Sequence, residues 1–208
     1  MIKNIVFDMG RVLIRFDPEY FLTREGVHDP EDRAVILKEL FHSVEWAMMD
    51  RGDLSEDTAE PLVLKRIPER LHSKTSYLLH HWAQKKDTIP GMYELVKDLK
   101  ESGYSIYLLS NASTAQPEYW KHYPVSSFFD GTMISAVERC VKPSDEIYRR
   151  FTERFCLEPA ECIFIDDTPS NVAAAIANGW DGIVFFGDAR ECRRLLEMKG
   201  VKTKRPEA

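Results

Sequence analysis

The sequence predicts an α/β fold, a parallel sheet layered between helices with a second, all-helical segment inserted near the N-terminus. Three observations lead there. From about residue 88 onward, short aliphatic and β-branched runs alternate with helical stretches, the pattern of βαβ units. One further run, Ile5-Val6-Phe7, stands apart at the N-terminus, and residues 17–86 between them show helical periodicity with no strand signal. Finally, three apolar runs end in polar groups, at Asp8, at Ser110-Asn111 and at Asp166-Asp167. In a parallel sheet such ends share one edge, where open α/β folds bind their ligands.

Taken in order, the first strand stops at Asp8 and Gly10, and Arg15-Phe16-Asp17-Pro18 breaks the pattern. Four helical stretches are expected in the segment that follows. The first covers about Pro30 to Phe41, with Val35, Ile36, Leu37, Leu40 and Phe41 as its apolar stripe. The second covers about Ser43 to Met49 and is stopped by Arg51-Gly52-Asp53. Ser55 is the N-cap of the third, and Thr75 to Ala83 forms the fourth. After the segment, Pro90-Gly91 opens a helix that Ser102-Gly103 closes, and Tyr104–Leu109 is a strand. A short strand is expected at Thr132–Ser135, a helix at 145–155, and a buried strand at Glu161–Ile165. A helix from Ser170 to Asn178, a strand at Gly182–Phe186 and a helix from Ala189 to Met198 complete the fold. The Lys/Arg/Pro tail after Gly200 is expected to fray.

Composition narrows the functional classes. With 208 residues, 44% hydrophobic and 30% charged, the chain is an ordinary globular protein large enough for one core plus an insertion. A net charge of −6 and a pI near 5.6 speak against a nucleic-acid partner, which needs a basic face. Cys140, Cys156, Cys162 and Cys192 have no C-x-x-C spacing and read as reduced thiols of a cytoplasmic protein. No run approaches the ~18 apolar residues of a membrane span, and Met1 leads into the first strand without an apolar leader. The six histidines show no zinc-ligand spacing.

Each polar strand end has an ordinary reading when taken singly: Asp8 and Ser110-Asn111 as turn residues, Lys142 as a surface lysine. Together they form a constellation. Carboxylates gathered at one sheet edge repel one another and stay ionised with the help of a cation. Oxygen donors suit Mg2+, which takes one or two carboxylates and leaves positions for water and substrate phosphate. Lys142, just ahead of a helix, adds a charge able to bind a phosphate oxygen.

In these residues the chain resembles the haloacid dehalogenase superfamily. Its pattern is a strand ending in a nucleophilic Asp, a second ending in Ser or Thr, a Lys at a helix start, and a last strand ending in an acidic pair. Here they read Asp8, Ser110, Lys142 and Asp166-Asp167, with Asn171 completing Asp-Asp-x-x-x-Asn. The resemblance covers essentially the whole chain. It implies a Rossmann-like three-layer parallel-sheet core, residues 1–16 and 87–208, and a helical-bundle cap, residues 17–86. Among the members, bacterial sugar-phosphate phosphatases that resemble glucose-1-phosphate phosphatase share Phe-Asp-x-Gly-x-Val, Leu-Ser-Asn and the cap run Arg51 to Ser55.

The resemblance implies a phosphatase that uses Mg2+. Asp8 is the nucleophile, and Ser110, the Asn111 main chain and Lys142 bind phosphate. The metal ligands are Asp8, the Gly10 main-chain oxygen and Asp166, with Asp167 as an additional or indirect ligand. The substrate class is a small phosphorylated metabolite such as a hexose 1-phosphate, with no nucleic acid and no membrane; a monomer is compatible, the oligomeric state being open. Gly10 departs from the pattern, because most phosphatases of the superfamily have there a second Asp serving as acid and base. Such a group is worth roughly 10²–10⁴-fold. Its work falls to a leaving group that needs little protonation, to a cap carboxylate such as Glu45 or Asp53, or to water. Glu45, Trp46 and Arg51 are the cap candidates for substrate contact, Trp46 having a second reading as core, and Arg11 adds a cation at the mouth. Two alternatives compete: a metal-free dehalogenase, for which the acidic pair has no use, and a non-catalytic binding protein, for which Asp8, Lys142 and Asp166 together are unexplained.

Overall fold

The structure, a computed structural model, describes residues 1–203. Five parallel strands form one sheet in the order β3-β2-β1-β4-β5. They are β1 (Asn4–Phe7), β2 (Ser105–Ser110), β3 (Gly131–Ile134), β4 (Cys162–Asp166) and β5 (Asp181–Val184). β1 lies at the centre, with Phe7 opposite Leu108 on one side and Ile165 on the other. Successive side chains on a strand point to opposite faces, so a central strand needs apolar residues at every position. Ile5 and Phe7 accordingly pack with Leu95, Leu99 and Leu196, while Val6 joins Tyr148, Phe151 and Trp180 on the opposite face. The helices that supply these partners make the outer two of three layers.

Eleven α-helices occur among the described residues. The segment after β1 contributes α1 (Pro18–Arg24), α2 (Pro30–Ile36), α3 (Val44–Arg51), α4 (Glu56–Leu64) and α5 (His72–His81). After it come α6 (Met92–Glu101), α7 (Gln116–Trp120), α8 (Ser135–Glu138), α9 (Asp145–Phe155), α10 (Pro169–Ala177) and α11 (Ala189–Met198). Helices α6 and α11 cover one face of the sheet, α9 and α10 the other. Close approach explains Gly182 in β5, where a Cβ would lie 2.5 Å from Val172 Cγ1 of α10.

The helical segment has its own apolar cluster, including Phe21, Leu22, Ile36, Leu40, Val63 and Leu78. Its first helix, α1, is absent from the sequence-based expectation. Asp17 is its N-cap, with the carboxylate accepting from the Tyr20 amide, and Pro18 is its first residue. The pair that reads as a breaker is therefore a helix start. The expected helix at 30–41 is α-helical only to Ile36 and continues as a π-helical turn, Leu37–Phe41. Ser43 and Ser55 cap α3 and α4 through their hydroxyls, the latter in a reciprocal pair with Thr58.

Two contacts fix the segment to the sheet domain. At the end of α3, Gly52 (φ 84°) lies against α8 so closely that a Cβ would sit 2.1 Å from the Ala136 carbonyl oxygen. Beside it the Ser135 hydroxyl donates to the Asp50 carbonyl. The segment also leaves and rejoins through paired backbone: Arg15 N–H donates to the Asp87 carbonyl (2.9 Å) and Ile89 N–H to that of Leu13 (3.0 Å).

Two ends differ from the expectation. The last strand starts one residue early and stops at Val184, with Phe185 buried and Phe186 83% exposed. Past Gly200 the chain does not fray at once: Val201 is buried, and the Lys202 amide donates to the Tyr104 hydroxyl at 2.7 Å. The rest of the expected frayed tail, residues 204–208, lies outside the described residues.

Candidate active site

The sheet register brings the polar strand ends together. Asp8 follows β1, and its amide donates to the Ile165 carbonyl at 2.8 Å, so the residue continues the ladder to the edge. Asp166 is the last residue of β4 and Ser110 the last of β2. Lys142 arrives from the loop before α9 and is 4% exposed. Its ammonium donates to Asp8 Oδ1 and Asp166 Oδ2, both at 2.7 Å, and to the Leu109 carbonyl at 3.0 Å. All three donors of the ammonium are therefore engaged, which is how a lysine becomes tolerable inside a protein.

Asn111 holds this lysine in place. Its side-chain amide donates to the Lys142 carbonyl (3.0 Å), and its oxygen accepts from the Lys142 N–H (2.9 Å). The bond from Lys142 to Pro143 is cis. Asp166, fully buried, accepts from the Thr168 amide at 2.7 Å and from Asn171 Nδ2 at 3.1 and 3.2 Å. The side chain of Asn111 thus faces the lysine loop, and that of Asn171 faces the aspartate.

Electrostatics set the character of the floor. Burial pushes the Asp8 carboxyl up to about 7; Lys142 opposes the shift and Asp166 adds to it. Burial by itself disfavours a charged Lys142, but the two carboxylates outweigh it and hold the ammonium above its ordinary value. Asp167 is raised by burial and by Asp166, with Arg11 opposing from 3.8 Å. Asp8, Asp166 and Asp167 offer carboxylate oxygens that all lie within 4.8 Å of one another. Three such carboxylates against one buried ammonium leave an excess of negative charge on hard oxygen donors. That donor set fits Mg2+.

Above the floor lies a cavity of about 270 Å³ between the sheet edge and the helical segment. Asp8, Gly10, Ser110, Asn111, Lys142 and Asp167 line it from below, together with Asn171. Trp46, Met49, Asp50, Glu56, Leu79 and Trp82 line it from the helical segment, and Phe16 and Tyr119 close the sides. The rings are in mutual contact, Phe16 meeting Trp82 at 5.0 Å and Trp46 at 5.7 Å, and Trp82 meeting Tyr119 at 5.3 Å.

Of the cap residues singled out in the sequence, Trp46 lines the cavity, whereas Glu45 and Arg51 do not. Glu45 is buried against Arg66, which donates to its two oxygens at 3.0 and 2.6 Å. Arg51 is exposed and pairs with Asp53, a residue that also meets Arg139 at 3.4 Å. Sequence reasoning missed Asp50 and Glu56 as the carboxylates that reach the cavity. A signal for Asp50 was present: Trp46, Met49 and Asp50 are spaced i, i+3, i+4 on α3 and share a face, which Glu45 and Arg51 flank. Arg11 lines the mouth with φ 58°, in the left-handed region, and donates from Nε to the Phe16 carbonyl at 3.1 Å.

Comparison with known proteins agrees with this geometry. The family model described as haloacid dehalogenase-like hydrolase matches residues 2–179. The sesquiterpene phosphatase astK of Aspergillus oryzae is 27% identical over 208 residues, covering 95% of this chain and 97% of that protein. Among solved structures, a HAD-like family hydrolase from Porphyromonas gingivalis has a TM-score of 0.68 at 25% identity, covering 94% of this chain and 98% of that one. A HAD family enzyme from Bacteroides thetaiotaomicron, solved with magnesium and inorganic phosphate, shares the fold with a TM-score of 0.71 at 21% identity, covering 92% and 99%. With that family model matched over residues 2–179 and Asp8, Ser110, Lys142 and Asp166-Asp167 converging on one sheet edge, the chain belongs to the haloacid dehalogenase-like hydrolase family.

Proposed function

We propose that this protein is a Mg2+-dependent phosphomonoester hydrolase working through an aspartyl-phosphate on Asp8, with residues 17–86 serving as the cap over its site. The observation that carries the reading is the position of Lys142, 2.7 Å from both Asp8 and Asp166 at the floor of the cavity. An Oδ atom of Asp8 forms a bond to phosphorus as the bond to the leaving oxygen breaks. Water then attacks the same phosphorus and frees the carboxylate, the usual course for a carboxylate nucleophile. The Ser110 hydroxyl and the Asn111 main chain would bind phosphoryl oxygens, and the Lys142 ammonium would join them by turning one N–H from a present acceptor to the phosphoryl group, whose charge such donors stabilise. Asp8, Asp166 and Asp167, with the Gly10 carbonyl, would hold Mg2+, which when bound supplies positive charge between the nucleophile and the phosphoryl group.

For the substrate we favour a small phosphorylated metabolite, within that class a sugar phosphate such as a hexose 1-phosphate. The rings of Trp46 and Trp82 offer a surface to the carbon face of a sugar, and Glu56 offers an acceptor to its hydroxyls. A second reading, the phosphate of an apolar alcohol, is favoured by the run of Phe16, Trp46, Met49, Leu79 and Trp82 along one wall. The cysteines are all free, in keeping with a reducing, cytoplasmic compartment.

The test is hydrolysis of p-nitrophenyl phosphate with and without Mg2+, wild type against Asp8→Asn. Loss of a nucleophile should cost on the order of 10⁴-fold or more; equal rates in the two proteins would remove Asp8 from the reaction. A panel of hexose 1-phosphates and isoprenyl phosphates then separates the two substrate readings.

A further inference from the structure

We propose that the carboxyl group of Asp50, entering the cavity from the last turn of α3, is the acid and base that Gly10 does not provide. The inference rests on the phosphomonoesterase reading and assigns a residue within it. Asp50 lines the same cavity as Asp8, on the side of the helical segment. Its side chain makes no hydrogen bond or ion pair with the protein among the described residues, whereas the neighbouring carboxylates are engaged. Asp8 and Asp166 take the Lys142 ammonium, Asp167 faces Arg11, and Glu56 accepts from the Ser113 hydroxyl.

The position of the group is fixed although its carboxyl is free. The Ser135 hydroxyl donates to the Asp50 carbonyl, and two residues on, Gly52 is pressed against Ala136. The acid is thus held from the sheet domain through backbone contacts, which suits a group that has to meet a leaving oxygen. Around the carboxyl stand Asp8, Lys142, Glu56 and the Tyr119 ring. Burial pushes it above the ordinary carboxylate range. A raised carboxyl keeps its proton more readily than a solvated one, which favours the acid role.

The reaction balances as follows. Asp8 bonds to phosphorus, the P–O bond to the leaving group breaks, and the Asp50 carboxylic acid gives its proton to the departing oxygen, which leaves as an alcohol. Asp50, now a carboxylate, takes a proton from water as the water oxygen bonds to phosphorus. The P–O bond to Asp8 breaks, releasing phosphate and returning both carboxyl groups to their starting states.

The experiment compares wild type, Asp50→Asn, Glu56→Gln and the double variant Gly10→Asp/Asp50→Asn, with Mg2+, on an alkyl phosphate and on p-nitrophenyl phosphate. An alkoxide needs the proton to leave and nitrophenolate does not. Asp50→Asn should therefore lose about 10²–10⁴-fold on the alkyl ester. On the aryl ester it should release a burst of one nitrophenolate per enzyme, followed by slow turnover as the phospho-enzyme waits for a base. The double variant should recover alkyl phosphatase activity, because position 10 admits a Cβ, whose nearest neighbour would be Phe16 Cβ at 3.4 Å. Equal losses on both esters without a burst, no loss, or a leaving-group-dependent loss in Glu56→Gln instead would overturn the assignment. Wild type inactive on both esters would overturn it together with the phosphomonoesterase reading, a result separable from the others because it shows before any variant is made.

Discussion

Replacing Gly52 by alanine isolates the contact that seats the helical segment on the sheet domain. Two costs combine at this position. An alanine at φ 84° stands in the left-handed region, which costs an L-residue roughly 1–2 kcal/mol. In addition, its Cβ would lie 2.1 Å from the Ala136 carbonyl oxygen and 2.9 Å from the carbonyl carbon. Both are backbone atoms, so no rotamer change relieves the collision. Restoring a contact of about 3.5 Å requires the end of α3 to withdraw by about 1.4 Å, an overpacking penalty of roughly 1–3 kcal/mol. Gly103 supplies the control: its φ is 91°, yet a Cβ there meets nothing within 4 Å. In thermal unfolding, Gly103→Ala should lower Tm by about 2–8 °C, the conformational cost alone, and Gly52→Ala by roughly 4–20 °C, the two costs together. Turnover should follow the same order. The retreat of α3 carries Asp50 and Trp46 with it, and a 1 Å misplacement of a catalytic group costs on the order of 10²-fold. Equal Tm shifts in the two variants would refute the steric argument, and a large Tm shift with unchanged kcat would refute its link to the site.

Two further outcomes are expected. Arg66→Ala removes the partner that holds the Glu45 carboxyl below its ordinary value of 4.5, chiefly by hydrogen bonding. A carboxyl lowered on folding stabilises above its ordinary value and loses that contribution as pH falls through the folded value. The variant should therefore lose about 1–2 kcal/mol near pH 7, discounted for the partial exposure of Arg66, and the gap to wild type in urea unfolding should close below about pH 4.5. A pH-independent gap would count against the ion pair. With a disulfide-exchange reagent at pH 8, exposed Cys156 should react first and alone. Burial raises the thiols of Cys140, Cys162 and Cys192, the last two to about 11 and 12. A second fast equivalent in the folded protein would contradict that ranking.

What the sequence made legible was what periodicity and strand ends encode. Runs buried on both faces, such as Cys162–Ile165, cannot hide in a sequence, and the polar residues that stop them fall at one edge whatever the strand order. The order itself, with β1 between β2 and β4, has no local signature. Lys142 shows the same limit: only its contacts with Asp8 and Asp166 distinguish it from a surface lysine. Asp17-Pro18 was ambiguous because proline ends a helix from within and begins one at its first position. Glu45 and Asp50 differ by five residues, yet Glu45 meets Arg66 and Asp50 the cavity, a distinction that depends on the rotation of α3 against the rest of the fold. The docked stretch Val201–Thr203 was hidden because one valine against Leu196 decides it, and flanking charge says otherwise.

The paired backbone at Leu13–Arg15 and Asp87–Ile89 also bears on how such proteins diversify. Entry and exit of the helical segment are neighbours in a two-stranded ribbon, with Ile14 opposite Thr88. The closure cost therefore depends only slowly on what is threaded between them, roughly 0.6 kcal/mol for each doubling of its length. A segment whose own ends meet at that spacing, and which keeps a close contact like that of Gly52 with Ala136, can vary elsewhere in length and composition while Asp8, a few residues upstream, keeps its register with β4. The nucleophile and the proposed acid and base stand on opposite sides of one hydrogen-bonded seam, so a chimera spliced at that seam takes Asp8 from one parent and the group at position 50 from the other.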